Sequence, residues 1–236
     1  MNVFTYWEGP KPAYIDVCIA SMEMFCGVDF CLITPETADD WIDGALHENW
    51  KKLKNPAHRA DCIRVAVINK CGGLWVDCDT VFIRQLGPFS MYGMKFCYTR
   101  WDDGRALNGY FFGEKSNPVT SEWLSSINAI LRKWNCVSAQ AWTSFGEKIL
   151  TPLLNRPDIK SISGQFDRRI FLPINIDRIP WVFFEPVHWS AFVSDDTVAF
   201  GLNNSWFRDN VIKFYKSPEP WIGELLINKL IADARL

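Results

Sequence analysis

Two hydrophobic periods alternate over the first 80 residues and predict the elements. Residues 3–7 are a short β-rich run ended by Gly9, Pro10 and Pro12, which reads as a strand and loop. Residues 13–25 follow a helical period, with Ile15, Ile19 and Met22 on one face. Residues 29–33 are a second apolar strand stopped by Thr34-Pro35, and residues 37–44 suit a short helix. Asn55-Pro56 is a cap followed by a good first helical residue. It opens a helix to about Lys70, with Ala60, Ile63 and Val67 as its stripe and Cys71-Gly72-Gly73 as its stop. Residues 74–76 follow as a buried strand running into Asp77-Cys78-Asp79-Thr80.

The rest is less regular. Strands are expected at 96–99 and 110–113, a helix from Val119 to about Trp134, and a last helix from about Trp221 to Ala234. The Pro- and aromatic-rich stretch 157–204 reads as short strands and loops. Strands alternating with helices predict an α/β fold with a largely parallel sheet in the first 80 residues, becoming α+β beyond. Ligands of an open α/β sheet sit beyond the carboxyl ends of its strands, where Asp77 and Asp79 fall.

Composition narrows the function classes. A net charge of -2 and a pI near 5.9 argue against a nucleic-acid binder. No apolar run approaches the ~18 residues of a membrane span. Residues 1–12 do not read as a signal peptide, which points to a cytoplasmic protein. The eight cysteines include no C-x-x-C pair, so reduced and mostly buried thiols are expected rather than a zinc or disulfide framework. With 12 Trp, 17 Phe and 6 Tyr, the chain has either a heavy core or a surface that stacks on flat ligands. Phe25, Phe30, Trp75 and Phe82 read as core, and Trp101, Trp189 and Trp206 as candidate sugar platforms.

The chemistry-bearing pattern is Asp77-x-Asp79. Among 17 Asp, about one D-x-D arises by chance, so the context carries the weight. Positions i and i+2 of an extended segment share a face. Two hard oxygen ligands at a strand end suit Mg²⁺ or Mn²⁺ that keeps positions open for substrate phosphates. On the preceding helix, Asp61 and Arg64 share a face at i, i+3; the plain alternative is a surface ion pair. Three chemistries use paired carboxylates. A dehalogenase-type phosphatase needs Thr at position 81, which is Val. A chitinase-like hydrolase needs a nearby Glu, and Val81, Phe82 and Ile83 supply none. Metal-assisted transfer from a nucleotide-diphosphate sugar requires nothing that is missing.

The stretch Ala57-His-Arg-Ala-Asp61-Cys-Ile-Arg64, followed by Cys71-Gly-Gly-Leu-Trp-Val-Asp77-Cys-Asp79-Thr, resembles the signature of the D-x-D sugar-nucleotide glycosyltransferases. The capsular-polysaccharide-synthesis type is the nearest resemblance, the yeast initiating mannosyltransferase and the clostridial glucosylating toxins more distant ones. Tyr6-Trp7-Glu8-Gly9 with Pro12, then Cys18 and Ser21, resembles the family's first strand and helix. The resemblance spans roughly residues 3–86.

It implies a GT-A fold in a single domain over 1–236. About 1–100 would form the nucleotide-sugar half, and about 101–236 the acceptor half with the C-terminal helix. Trp7 would lie near the donor uracil, Asp61 and Arg64 at the donor sugar or its phosphates, and Asp77 at ribose or sugar. Asp79 would bind Mn²⁺ or Mg²⁺, with Asp77 beside it. Family members often close this site with a His near a Ser-Trp pair. Here Ser205-Trp206 is present without the His, and Asn203, Asn204 or Ser205 would substitute; His188 is a rival. Asn108 and Gly109 would contact the donor. An inverting enzyme would use Asp102 or Asp103 as base, Glu147, Asp195 and Asp196 having weaker claims. A retaining one, which the resemblance favours, would let the leaving phosphate take the proton. The implied partners are a nucleotide-sugar donor, UDP-linked above all, and a glycan or other hydroxyl acceptor. The alternatives are a non-catalytic carbohydrate-binding module and a D-x-D phosphohydrolase. Whether the chain is one module of a larger enzyme stays open.

Overall fold

The computed structural model describes residues 1–86, 94–133, 143–179, 191 and 193–212. They fall into two compact units. One lies within Met1–Glu8, Cys31–Val76 and Phe89–Phe166, the other within Gly9–Phe30, Asp77–Pro88 and Asp167–Leu236. The chain passes from the first to the second between Val76 and Asp77.

The first unit is built on a mixed sheet of order β2-β1-β3-β6-β5-β7. Its strands are β1 (Asn2–Tyr6), β2 (Asp29–Ile33), β3 (Gly73–Val76), β5 (Phe96–Arg100), β6 (Ala106–Gly113) and β7 (Ser163–Gln165). The parallel pairing expected early in the chain holds for β1 and β3, with Val3 opposite Leu74 and Phe4 opposite Trp75. β6 runs antiparallel to both β3 and β5. Gly73 is required by the close approach of β1: a Cβ there would lie 2.6 Å from the Asn2 carbonyl oxygen.

Helix α3 (Pro56–Cys71) starts as the sequence predicts, the Asn55 side chain accepting from the Ala57 N–H at 3.0 Å. It ends at Gly72, whose φ of 69° lies in the left-handed region. Only one stripe was expected to be apolar, yet residues 61–68 are buried all round the helix. Such a helix is packed on every side rather than amphipathic. It contacts β1, β3, β6 and α4 (Pro118–Arg132). The core gathers Phe4, Trp75, Phe96, Phe111, Trp123 and Phe145 around the apolar side chains of α3.

The second unit contains α1 (Ala13–Phe25) and a two-stranded antiparallel sheet of β4 (Thr80–Phe82) and β8 (Ala199–Gly201). Ser21 of α1 ties the helix to β4, accepting from the Phe82 N–H at 2.9 Å while donating to the Cys18 carbonyl oxygen at 2.7 Å.

Several expectations shift in detail. β6 begins at Ala106, four residues before the expected strand, because Ala-Leu-Asn-Gly carries little β-propensity of its own and is held by pairing with β5. α5 (Glu147–Leu154) was not expected; it is two turns long with Pro152 inside. Trp75 and Phe82 are core, as read from the sequence, but Phe25 and Phe30 are only half-buried. Of the seven described cysteines, Cys71 is exposed, Cys31 half-buried and the rest buried. Cys136, His188, Trp189, Trp134 and the expected helix 221–234 lie outside the described residues. Among the described residues no helix is long and apolar enough to cross a membrane.

Candidate active site

In the first unit, three of the singled-out residues meet. Asp61 and Arg64 are buried on α3, their side chains 9% and 7% exposed, so the surface ion-pair alternative does not apply. Arg64 Nη2 lies 3.3 Å from Asp61 Oδ1. Asn108 of β6 completes the cluster: its Nδ2 donates to Asp61 Oδ1 at 2.7 Å, and its carbonyl oxygen accepts from Arg64 Nη1 at 2.6 Å. The guanidinium also lies over the Trp75 ring, 5.5 Å from its centroid. This desolvated charge pair is held in one geometry by a third residue. Gly109, next on β6, is buried.

Gly146, not singled out from the sequence, belongs to the same cluster. A Cβ on it would stand 2.2 Å from Asn108 Nδ2. The only sequence signal is an isolated Gly before a short helix, which is too common to single out.

Trp7 follows the end of β1, its N–H donating to the Ile33 carbonyl oxygen at 3.1 Å. Its indole N–H is buried and has no hydrogen-bond partner among the described residues. Beside it, Glu8 accepts from Arg59 of α3, at 2.7 Å from Nε and also from Nη2, and from the Tyr6 hydroxyl at 2.5 Å. Burial by itself would raise the Glu8 carboxyl, but the hydrogen bonds from Arg59 and Tyr6 outweigh it and hold the group below the usual carboxylate range. Burial, then Glu8, push the Tyr6 phenol up. The segment carrying Trp7 is therefore anchored to α3.

Asp102 and Asp103 lie exposed in the turn between β5 and β6. Arg105 engages Asp103: its Nε donates to Oδ2 at 2.8 Å and its main-chain N–H to Oδ1 at 3.1 Å. These hydrogen bonds hold the Asp103 carboxyl below its ordinary value. Arg105 also bonds Glu147 at 3.1 Å. Asp195 and Asp196 are exposed in the second unit, in the turn before β8.

In the second unit, Asp77 and Asp79 are half-buried between β3 and β4, with Cys78 buried between them. Asp79 is clamped by the segment after β8. Its carbonyl oxygen accepts from the Leu202 N–H at 2.8 Å, and its Oδ2 accepts from the Asn204 N–H. Asn203 lies between those two donors at φ 56°, ψ 68°, a left-handed conformation that Asn tolerates and β-branched residues do not. Asn204, Ser205 and Trp206 open the short helix Asn204–Phe207, with Ser205 exposed and Trp206 half-buried. Burial pushes the Cys18 thiol of α1 well up, with Cys78 and Asp79 adding to it, so the thiol stays neutral.

Among the described residues no group of three or more His, Cys, Asp or Glu could cage a metal. Asp77 and Asp79 instead offer two carboxylates, with Asn203 and Ser205 next in the chain to the Asn204 N–H that bonds Asp79 Oδ2. That is an all-oxygen, ligand-poor set, which fits a hard divalent ion completing its shell with substrate phosphates and water.

Residues 16–97 match the family of glycosyltransferase sugar-binding regions containing the DXD motif. That stretch has the sequence of a glycosyltransferase sugar-binding region with its DXD motif. No curated protein matches the chain by sequence. Among solved structures, it is similar to a glycosyltransferase involved in the glycosylation of the major capsid of PBCV-1. The TM-score is 0.51 and the identity 13%, over 86% of this chain and 92% of that one. It is also similar to the apo form of the glycosyltransferase GlyE of Streptococcus pneumoniae TIGR4. There the TM-score is 0.50 and the identity 8%, over 95% of this chain and 64% of that one. At these identities the likeness concerns the fold, which is of the GT-A type. The matched region contains Asp61, Arg64, Asp77 and Asp79.

Proposed function

We propose that this glycosyltransferase moves a sugar from a UDP-sugar to a hydroxyl of a glycan or other acceptor, with a divalent cation, Mn²⁺ or Mg²⁺, and with retention at the anomeric carbon. The observation that carries the reading is the clamp on Asp79, which fixes one carboxylate oxygen and the main chain of the DXD turn in place. Preorganised oxygen ligands cost no rearrangement when a diphosphate arrives.

In this reading Asp77 and Asp79 are the protein's carboxylate ligands to the cation, with Asn203, Asn204 or Ser205 as further oxygen donors. The cation supplies charge neutralisation to the leaving diphosphate. Arg64, oriented by Asp61 and the Asn108 carbonyl oxygen, meets the donor's phosphates. Asp61 and Asn108 orient the sugar, with the main chain at Gly109. Trp7 serves the uracil, which the anchoring of its segment through Glu8 and Arg59 supports. Ser205 and Trp206 serve the diphosphate.

Retention is supported by the state of Asp103. A carboxylate engaged by Arg105 and shifted down is a poor base near neutral pH, which weakens the case for it as the base of an inverting reaction. The leaving phosphate then takes the acceptor proton, and Asp102 and Asp103 shape the turn. The test is a thermal-shift panel of nucleotide sugars with and without Mn²⁺. The true donor raises the midpoint by mass action only when Mn²⁺ is present. Equal shifts without the ion, or no shift with any UDP-sugar, would overturn the reading.

A further inference from the structure

Helix α1 turns a polar stripe toward the DXD turn. Tyr14, Cys18 and Ser21, at i, i+4 and i+7, share a face and are buried, with exposures of 0%, 0% and 2%. Ser21 holds β4 through the Phe82 N–H, on the chain just after Asp79. Tyr14 holds the opposite flank: its hydroxyl donates to Asn204 Oδ1 at 2.5 Å, while its ring packs edge-on against Phe207 with centroids 5.3 Å apart. Asn204 is thus fixed at two atoms, its main-chain N–H on Asp79 Oδ2 and its side-chain oxygen on Tyr14.

An amide has one carbonyl oxygen and one NH₂ group. With one lone pair of that oxygen held by a buried phenol, the oxygen is a poorer cation ligand, and the NH₂ is the group of Asn204 suited to a ligand: NH₂ binds anions, not cations. We propose that Tyr14 is a positioning residue for the donor diphosphate: it holds Asn204 Oδ1 so that Asn204 donates N–H to a phosphate oxygen and is not a ligand of the cation. This rests on the functional reading above and sharpens it, since Asn204 moves from the cation's ligands to the anion's donors.

The test compares wild type, Tyr14→Phe, Asn204→Asp and Asn204→Ala. It uses calorimetric titration of UDP at saturating Mn²⁺, Mn²⁺ titration without nucleotide followed by electron paramagnetic resonance, and thermal unfolding. Tyr14→Phe keeps the ring on Phe207 and removes only the hydroxyl. Tyr14→Phe and Asn204→Ala should each weaken UDP binding by roughly three- to tenfold, the worth of one hydrogen bond. The double variant should be no weaker than the weaker single. Asn204→Asp puts a carboxylate where N–H is needed, so it should weaken UDP binding further without tightening Mn²⁺ alone. Tighter Mn²⁺ binding by Asn204→Asp would make Asn204 a cation ligand and overturn the proposal. So would wild-type UDP affinity in a folded Tyr14→Phe. No binding of UDP with Mn²⁺ by wild type would overturn the functional reading itself and this role with it.

Discussion

Asn108 Nδ2 donates to Asp61 Oδ1 at 2.7 Å, so the β6 amide orients the α3 carboxylate that pairs with Arg64. Removing one partner of a buried charge pair leaves the other uncompensated. Asp61→Ala is therefore expected to destabilise the fold by about 3 kcal/mol or more. Asn108→Ala should cost about 1–2 kcal/mol in stability. Denaturant unfolding of the two variants, read beside kcat/KM, separates the structural from the chemical part.

Gly146→Ala forces Asn108 aside, because the new methyl would stand 2.2 Å from its Nδ2. Rotating Asn108 gives up its bond to Asp61. The variant is expected to lose activity about as Asn108→Ala does, and the double variant no more than either. Additive losses would show that Gly146 acts elsewhere.

Glu8 makes stability depend on acid. Its carboxyl in the folded protein lies below its unfolded value, so its contribution is complete above the ordinary carboxylate range and disappears as pH falls through the lowered folded value. Glu8→Gln should cost about 1–2 kcal/mol at neutral pH. The gap to wild type should stay constant above pH ~5 and narrow below pH ~4. Unfolding free energies measured across that range check the sign; a gap that widens in acid would contradict it.

Thr5 and Thr99 are fully buried in the first unit, and their hydroxyls have no hydrogen-bond partner among the described residues. An unsatisfied buried hydroxyl is a cost, and valine has the same shape without it. Thr5→Val and Thr99→Val should each raise stability by up to about 1 kcal/mol. A loss instead would reveal a bound water or ligand group on that hydroxyl.

Asn203→Gly should be tolerated and Asn203→Val should not, since the left-handed φ of 56° excludes a β-branched side chain. The valine variant should lose about 1–3 kcal/mol. It should also lose Mn²⁺ affinity through the displaced clamp on Asp79, which titration of the free ion measures.

Where local chemistry decides, the sequence was readable. Asn55-Pro56 and Gly72 bound α3 because a cap and a left-handed stop are properties of those residues. The DXD turn could be found because Gly-Gly, an apolar strand and two acids come in one continuous run. What tertiary pairing decides was not readable. β6 extends back to Ala106 only because β5 lies beside it, and α3 is buried on every side only because α4 and the sheet enclose it. Tyr14 had no signal at all, since its partner Asn204 lies 190 residues away. The family resemblance offered Asp103 as the base of an inverting reaction, and the bond from Arg105 to its carboxylate is visible only in the structure.

The most direct test of the central claim is release of UDP from UDP-sugars by wild type and Asp79→Asn, each with and without Mn²⁺. Asp79→Asn keeps the shape and loses the charge. The prediction is Mn²⁺-dependent release by wild type, reduced about a hundredfold or more in the variant. Release that persists in Asp79→Asn and ignores Mn²⁺ would contradict it.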